Sequence, residues 1–538
     1  MNGGKPVATA LGTAAGQGEA GQQKVRGHWQ PRLSRRQLLA SAGGLAALGA
    51  AGAIGYEWPH GGTARNSPTP PVSNGRASGP SQVALSRPQV FVTRPDLSPP
   101  SVRVTSYGAL SAPKFIFLSV RTYLGDAPAQ QGLMVLDRLG RLVWFHPVRN
   151  QPFDFKVQAY RGGRALTWWQ GDVVYTYGEG RCYIAGTDYQ VMQEVQAGGG
   201  LQADLHEFVL SSTGTAFITA YETVVADLSH VGGQKRAKVV VGHAQEVDLA
   251  SGKVTWDWDS LSHVPVEDSY EAVPKQGPYD YFHINSIAEL PGGDLLISAR
   301  NTWSVYRVER ESGKVIWSLG GKRSSFTLGP GARFYWQHDA RPHGSSELSI
   351  FDDGASPAEE RQSRALVVRV DETARRASLQ RAYLYPAGFL AANQGSVQLL
   401  EDGRVFVGWG NQPYFSEFSG PGELLLDGEL PFGWHSYRAY TYDWDGAPES
   451  GPRAVALANP AGGSQVFVSW NGATSVDRWL VLAGKEPTSL EPSGSQPWSG
   501  FETSIAVNAA GPWFAVAGIS ASGREVGRSR PVRVGNAG

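Results

Sequence analysis

The chain reads as an all-β protein, a six-bladed β-propeller followed by a small β-sandwich. Three observations predict this. Glycine and tryptophan are abundant, 67 and 17 of 538 residues, which suits many short strands joined by tight turns. A Gly-x-x-x-Trp ending recurs at Gly140–Trp144, Gly252–Trp256 and Gly313–Trp317. An apolar strand, a Gly-centred turn and a second apolar strand recur around Gly162, Gly214, Gly292, Gly344 and Gly403. With a further unit around Phe115–Phe145 there are six units of roughly 40–60 residues, the period of propeller blades. An array of unrelated sandwiches is the competing reading, and the shared ending argues against it.

Residues 1–33 are polar and Gly/Ala-rich, with no apolar period. In residues 34–55 the run Ser34-Arg35-Arg36-Gln37-Leu38-Leu39 leads into an uncharged Ala/Gly/Leu stretch ending at Gly55. This resembles a twin-arginine export signal. A plain membrane anchor competes, because the stretch approaches the ~20 residues that span a bilayer. Its weak hydrophobicity directly after the paired arginines favours export, to the cell envelope or the medium. Ala51-Gly52-Ala53 offers a small-x-small cleavage site; an uncut segment would stay as an anchor. The expected organisation is a signal region over 1–55, a Pro/Ser/Gly-rich linker over 56–90, the propeller over 91–434 and the sandwich over 435–538.

The sandwich is carried by the strand-like runs Gln465–Gly472, Arg478–Leu482 and Trp513–Ile519. Its length and alternation resemble a fibronectin type III module, with Trp470 and Trp479 in the core. Cys182 is the only cysteine, so no intramolecular disulfide can form, and it is expected to be a small packing residue. A formal net charge of zero gives no reason to expect a nucleic-acid or anionic-membrane partner.

Histidines are scarce, yet three recur at the start of successive units: His206-Glu207-Phe208, His283-Ile284-Asn285 and His338-Asp339-Ala340. The first strand of a blade lines the axis, so these imidazoles should converge; Asn393-Gln394 holds the equivalent place in the next unit. In the second of these hairpins, pairing Leu290 with Leu295 sets Asn285 opposite Arg300, on one face with His283. A one-residue bulge would break that alignment. Three imidazoles, an amide and a guanidinium make a donor-rich, cationic cavity suited to a compact anion such as a sulfate or phosphate ester. A lone strand histidine is usually structural; three in register are less so. Three histidines also suit zinc, but an arginine on the same face opposes a metal, so no metal or other cofactor is expected. His343, in a Pro-His-Gly-Ser turn, is expected to be solvated, and His230, His243 and His263 carry no assignment.

Residues 91–430 resemble the arylsulfotransferase family, in the branch found in actinobacteria and fungi. The resemblance rests on Arg94-Pro95-Asp96-Leu97-Ser98-Pro99-Pro100, Asp204–Phe208, Phe282–Ile287, Ile297–Arg300 and Trp336–Arg341. It implies a six-bladed propeller that moves a sulfuryl group from an aryl sulfate to a phenolic acceptor without the nucleotide donor PAPS. It further implies that His338 is transiently sulfated, while His206, His283, Asn285 and Arg300 bind sulfate and handle protons. Trp303, Trp336 and Tyr221 would then stack on aryl rings, or else serve blade packing. The chain departs from characterised bacterial members in having no disulfide near the site and in adding the C-terminal module. The competing readings are a non-catalytic cell-surface propeller that binds anionic or sulfated ligands, an aryl sulfate hydrolase, and a metal-dependent enzyme.

Overall fold

A computed structural model describes residue 85 and residues 87–535, except 109–112, 126, 460–461 and 510. The expected signal region, and the linker up to residue 84, lie outside the described residues. Among those described, the chain is all-β, built of antiparallel sheets with a few helical turns such as Ser260–His263. No described helix is long and apolar enough to cross a membrane.

Strands Phe115–Thr122, Gly132–Asp137 and Leu142–Pro147 pair in sequence order. The distant strand Trp434–Tyr442 completes their sheet by pairing with Phe115–Thr122. The expected boundary at 434/435 therefore cuts into a strand of the first sheet and must move beyond Tyr442. Its partner lies some three hundred residues away, as the pairing Arg121↔His435 shows, so local pattern could not reveal it.

The next two groups are Gln151–Tyr160, Gly163–Val174, Tyr177–Ala185 and Val191–Val195, then Ala203–Leu210, Thr215–Ala226, Ala237–Asp248 and Val254–Asp259. They are joined into one sheet at Gly180↔Ala203. A fourth group comprises Ile284–Glu289, Leu295–Ala299, Ser304–Val308 and Val315–Gly320. A fifth comprises His338–His343, Glu347–Asp352, Arg364–Asp371 and Arg376–Leu384. A sixth comprises Ser396–Leu399, Val405–Gly408, Tyr414–Phe418 and Leu424–Glu429, with Arg103–Ser106 on its outer edge. The six inner strands touch in cyclic order: Trp434–Tyr442, Gln151–Tyr160, Ala203–Leu210, Ile284–Glu289, His338–His343, Ser396–Leu399 and back to the first.

The turns fall where glycine predicted them. Gly162, Gly214 and Gly403 take φ of 79°, 84° and 84°, a region that costs other residues energy. Apolar side chains fill the spaces between neighbouring sheets: Phe217, Trp258, Ile284 and Ile297 in one, Leu296, Leu319, Ile350 and Leu366 in the next. Full burial of each such aliphatic or phenyl group contributes about 1.5–3 kcal/mol. Cys182 lies in this packing with Phe153, Trp169 and Val195, as expected, and burial pushes its thiol pKa well up.

Beyond Tyr442, one sheet of Arg453–Ala458, Ser464–Ser469 and Glu502–Val507 faces a second that includes Arg478–Glu486, Ser489–Pro497 and Trp513–Ile519. They enclose Val466, Val468, Trp479, Ile505, Phe514 and Val516, with Trp470 partly buried against them.

Candidate active site

The inner strands share an irregularity that the alternation of a regular strand does not foresee. Register shifts mark Phe153/Lys156, Ile284/Ser286 and His338/Arg341, each in an inner strand. Non-glycine residues at or beside these bulges take left-handed backbone: Asp154, His283 and Asp339 at φ 52°, 57° and 53°. Such conformations cost about 1–3 kcal/mol each and persist only where the surroundings enforce them. A bulge re-aims side chains. Here it lets consecutive residues such as His338 and Asp339 both reach interior partners.

A tighter turn and the bulge together correct one expectation. The hairpin pairs Glu289 with Leu295 and Ile284 with Ala299, so Asn285 does not lie opposite Arg300. Instead the Arg300 amide donates to the carbonyl of His283, at 2.9 Å. Asn285, fully buried, donates its Nδ2 to the carbonyl of Gln337, at 2.6 Å. It braces the residue before His338, and its Oδ1 has no partner.

The three histidines do come together. One ring nitrogen of each lies within 4.8 Å of those of the other two. Ring centroids are 4.8 Å apart for His206 and His283, and 6.5 Å for His283 and His338. All three are buried. Each is anchored through Nδ1 on a buried carboxylate: His206 on Asp204 at 2.6 Å, His283 on Asp280 at 2.6 Å, His338 on Asp353 at 2.8 Å. Asp204 also accepts from the Gly178 amide and the Thr219 hydroxyl, and Asp280 from the Thr176 hydroxyl. None of these three carboxylates was singled out from the sequence. Asp204 and Asp280 sit two and three residues before their histidines, which was the available signal; Asp353 lies in another strand's trailing loop.

These bonds fix the tautomer of His338. Its Nε2 accepts from the Gln394 amide at 3.3 Å, so it carries a lone pair and the ring proton lies on Nδ1, directed at Asp353. Burial, and then the charge of Arg300, hold the His338 pKa well below the ordinary imidazole value. Burial likewise lowers His283, against the pull of Asp280. Burial alone would raise the Asp280 carboxyl, but His283 and Thr176 bring it below the ordinary value. The site thus holds His338 as a neutral imidazole, and burial pushes the Asp353 carboxyl beside it well above the ordinary value.

The Arg300 guanidinium reaches toward His338 with little compensation. It donates to Asn301 Oδ1 at 2.9 Å and to the Ala392 carbonyl at 3.2 Å, with Glu271 no closer than 3.7 Å. It lies over the face of Trp336, 4.7 Å from the ring centroid. Trp303 stacks on Tyr270, and the buried Tyr221 donates its hydroxyl to the Ile284 carbonyl at 2.6 Å. The faces of Trp303 and Trp336 are therefore engaged within the protein, which is the packing role for them. His343 is not in a solvated turn: it ends the strand His338–His343, partly buried, with Nε2 2.9 Å from the Ser349 hydroxyl.

A second assembly, not foreseen from the local pattern, lies beside the histidines. Arg438, fully buried, donates to Asp154 at 2.8 Å, to Glu207 at 3.2 Å and to the Asn285 carbonyl at 2.9 Å. Lys156 bridges Asp154 and Glu207 at 2.7 and 2.8 Å. Arg341 pairs with Asp339 at 2.8 Å and with Glu207. This hub joins side chains from four inner strands and a carbonyl from a fifth. Tyr437 connects the two assemblies, its hydroxyl donating to the His206 carbonyl at 3.2 Å.

Three comparisons bear on identity. No curated protein matches the chain. Among solved structures, a protein of unknown function from Bacteroides caccae is 11% identical, covering 61% of this chain and 98% of that one, with a TM-score of 0.38. A protein from Lactobacillus plantarum is 15% identical, covering 73% and 99%, with a TM-score of 0.33. A virginiamycin B lyase from Staphylococcus aureus is 10% identical, covering 68% and 91%, with a TM-score of 0.25. Likenesses this remote carry no argument here. The family comparison is of another kind: the model of the arylsulfotransferase (ASST) family matches residues 156–430, just over half of the chain. That span contains all three histidines, their three carboxylates and Arg300, and the chain belongs to the arylsulfotransferase family.

Proposed function

We propose that the protein is a PAPS-independent aryl-sulfate sulfotransferase working by a ping-pong mechanism through a sulfohistidine at His338. One observation carries this reading: His338 is a neutral imidazole with its proton committed to Asp353 and its Nε2 lone pair on the side shared with His206, His283 and Arg300. That is the state a nitrogen nucleophile needs.

In the first half-reaction Nε2 attacks the sulfur of an aryl sulfate. The N–S bond forms, the S–O(aryl) bond breaks, and the phenoxide takes a proton from the imidazolium form of His283 or His206, leaving that ring neutral. In the second, the acceptor phenol gives its proton to that histidine, its oxygen attacks sulfur, and the N–S bond breaks. Sulfuryl transfer, like phosphoryl transfer, has a loose transition state that needs positioning and charge more than covalent help. Arg300 supplies the charge on the sulfuryl oxygens; Asn285 acts by holding the backbone before His338 rather than by touching the anion. The cyclic order of the inner strands supports a six-bladed propeller, and the two C-terminal sheets a fibronectin type III-like sandwich. Residues 34–55 support export by the twin-arginine route, so the enzyme would act in the envelope or outside the cell.

A second reading has one observation in its favour. A carboxylate on the Nδ1 of each histidine is the usual support of a metal-binding imidazole. Arg300 beside His338, and the Gln394 amide on its Nε2, disfavour a cation there. Metal analysis of the purified protein separates the two.

The test is to mix the protein with p-nitrophenyl sulfate, quench before acceptor is added, and map the sulfated residue. Sulfate on His338 that is discharged to added phenol is the expected result. Label elsewhere sinks the nucleophile, and free sulfate released at a rate indifferent to phenol makes the protein a hydrolase.

A further inference from the structure

A second under-compensated arginine opens at the same end of the inner strands. Arg121 is the penultimate residue of the strand Phe115–Thr122 and pairs with His435 across the first sheet. It is partly exposed. Its Nε donates to His435 Nε2 at 2.9 Å and its Nη1 to the Gln151 side-chain oxygen. The guanidinium lies 4.1 Å from the centroid of Phe153. Phe153 packs on Tyr437 at 5.3 Å, and Tyr437 on His206 at 6.0 Å. Arg121 is thus linked through two aromatic rings to the histidine cluster.

Its partners are all neutral. Apart from Arg300, other interior arginines differ: Arg438 is matched by Asp154 and Glu207, Arg341 by Asp339 and Glu207, Arg364 by Asp352 and Glu360. Desolvation without a counter-ion brings the Arg121 pKa down to about 9. His435, beside it, is held neutral by burial and by Arg121, and its Nδ1 is buried with no partner. A guanidinium that a protein could have neutralised with a carboxylate, and did not, is set up for an incoming anion.

The surroundings say what kind of anion. Tyr123, Leu124 and Phe432 are 63%, 41% and 66% exposed. Tyr123 lies 5.8 Å from the His435 ring, and the Thr122 hydroxyl ties this turn to the Gly433 carbonyl at 2.9 Å. These exposed side chains lie close to Arg121 along the chain or across the turn at Gly433, and they suit an aryl group rather than a bare inorganic ion.

We propose that Arg121 binds a second anionic group on the aryl substrate, making the protein selective for phenols that carry a carboxylate. This rests on the aryl-sulfate reading of the histidine site. The guanidinium fork takes the carboxylate, Tyr123 and Phe432 cover the ring, and the phenolic oxygen is directed toward the histidines.

The experiment compares 4-hydroxyphenylacetate with its neutral near-isostere 4-hydroxyphenylacetamide. Dissociation constants come from calorimetry on the whole protein, and KM from turnover with p-nitrophenyl sulfate. The carboxylate should bind about tenfold more tightly than the amide, the value of a hydrogen-bonded charge. In Arg121→Gln that ratio should fall to about one. A ratio of one in the unaltered protein overturns the proposal without any variant, and a ratio unchanged in a folded Arg121→Gln overturns it as well. Because binding is read apart from turnover, the two readings fail separately. A carboxylate preference lost in Arg121→Gln without sulfuryl transfer upholds the subsite and sinks the transferase. Turnover with no carboxylate preference does the reverse.

Discussion

The histidine cluster and the ionic hub are built from neighbouring residues of the same strands, yet they solve opposite problems. His206 is followed by Glu207, and His338 by Asp339; the first of each pair belongs to the cluster and the second to the hub. In the hub, Lys156, Arg341 and Arg438 face Asp154, Glu207 and Asp339. Formal charges balance, and the Arg438 side chain is wholly withdrawn from solvent. In the cluster, His338 is kept neutral and the nearby guanidinia of Arg300 and Arg121 are left with mainly neutral partners. A balanced buried network specifies geometry; charge left unbalanced beside a cavity is available to a ligand. The difference separates what holds the inner strands together from what they present.

Changes in the two assemblies should therefore fail differently. The largest effect is expected from His338→Ala: kcat should fall by about 10⁴-fold or more, with no sulfated intermediate and a far-UV spectrum like that of the parent. Retention of more than about a tenth of the activity would erase the functional side of the contrast. Next is Arg438→Met in the hub. Stripping one partner from a buried ionic network costs about 3–5 kcal/mol, read as a lowered urea midpoint or as loss of soluble protein. A variant that folds normally but turns over slowly would move the hub into the site.

Arg300→Ala comes third. Loss of a charge aimed at the transition state should lower kcat by about 10²–10³-fold while the urea midpoint stays close to the parent, since no carboxylate is stranded at hydrogen-bonding distance. Unchanged turnover would remove Arg300 from the reaction. The smallest effect is a pH dependence. His338, His283 and His435 have folded-state pKa values below the ordinary imidazole value. Below about pH 6.5 the unfolded chain binds protons that these buried rings refuse. Stability then falls with pH, by up to about 1.4 kcal/mol per unit for each ring, until the folded pKa is reached. Unfolding midpoints at stepped pH should show this slope, and it should lessen in His435→Phe. A flat profile between pH 6.5 and 5 would mean that the rings are charged in the folded protein.

Much of the strand order was legible because turns are local. The Gly-centred hairpins at Gly162, Gly214 and Gly403 and the Gly-x-x-x-Trp endings need only neighbouring residues. Convergence of His206, His283 and His338 was legible because each lies on or beside an equivalent inner strand. The relation of Asn285 to Arg300 was not, since the turn pairs Leu295 with Glu289, the bulge at Ile284/Ser286 shifts the register again, and neither leaves a mark in composition. Asp353 and Arg438 were invisible for another reason. Their partners lie in other strands, 15 residues away for His338 and 231 for Glu207.

The sequence by itself determined the all-β class, the repeat, the family and the identity of the imidazoles, because glycine turns, strand period and motif residues act over short separations. Only the tertiary structure decided which nitrogen of His338 carries the lone pair, what Asn285 holds, where the first sheet closes and which arginines lack a counter-ion. Those are properties of what surrounds a group, and burial, tautomer and charge balance are set by residues that meet only when the ring of strands is complete.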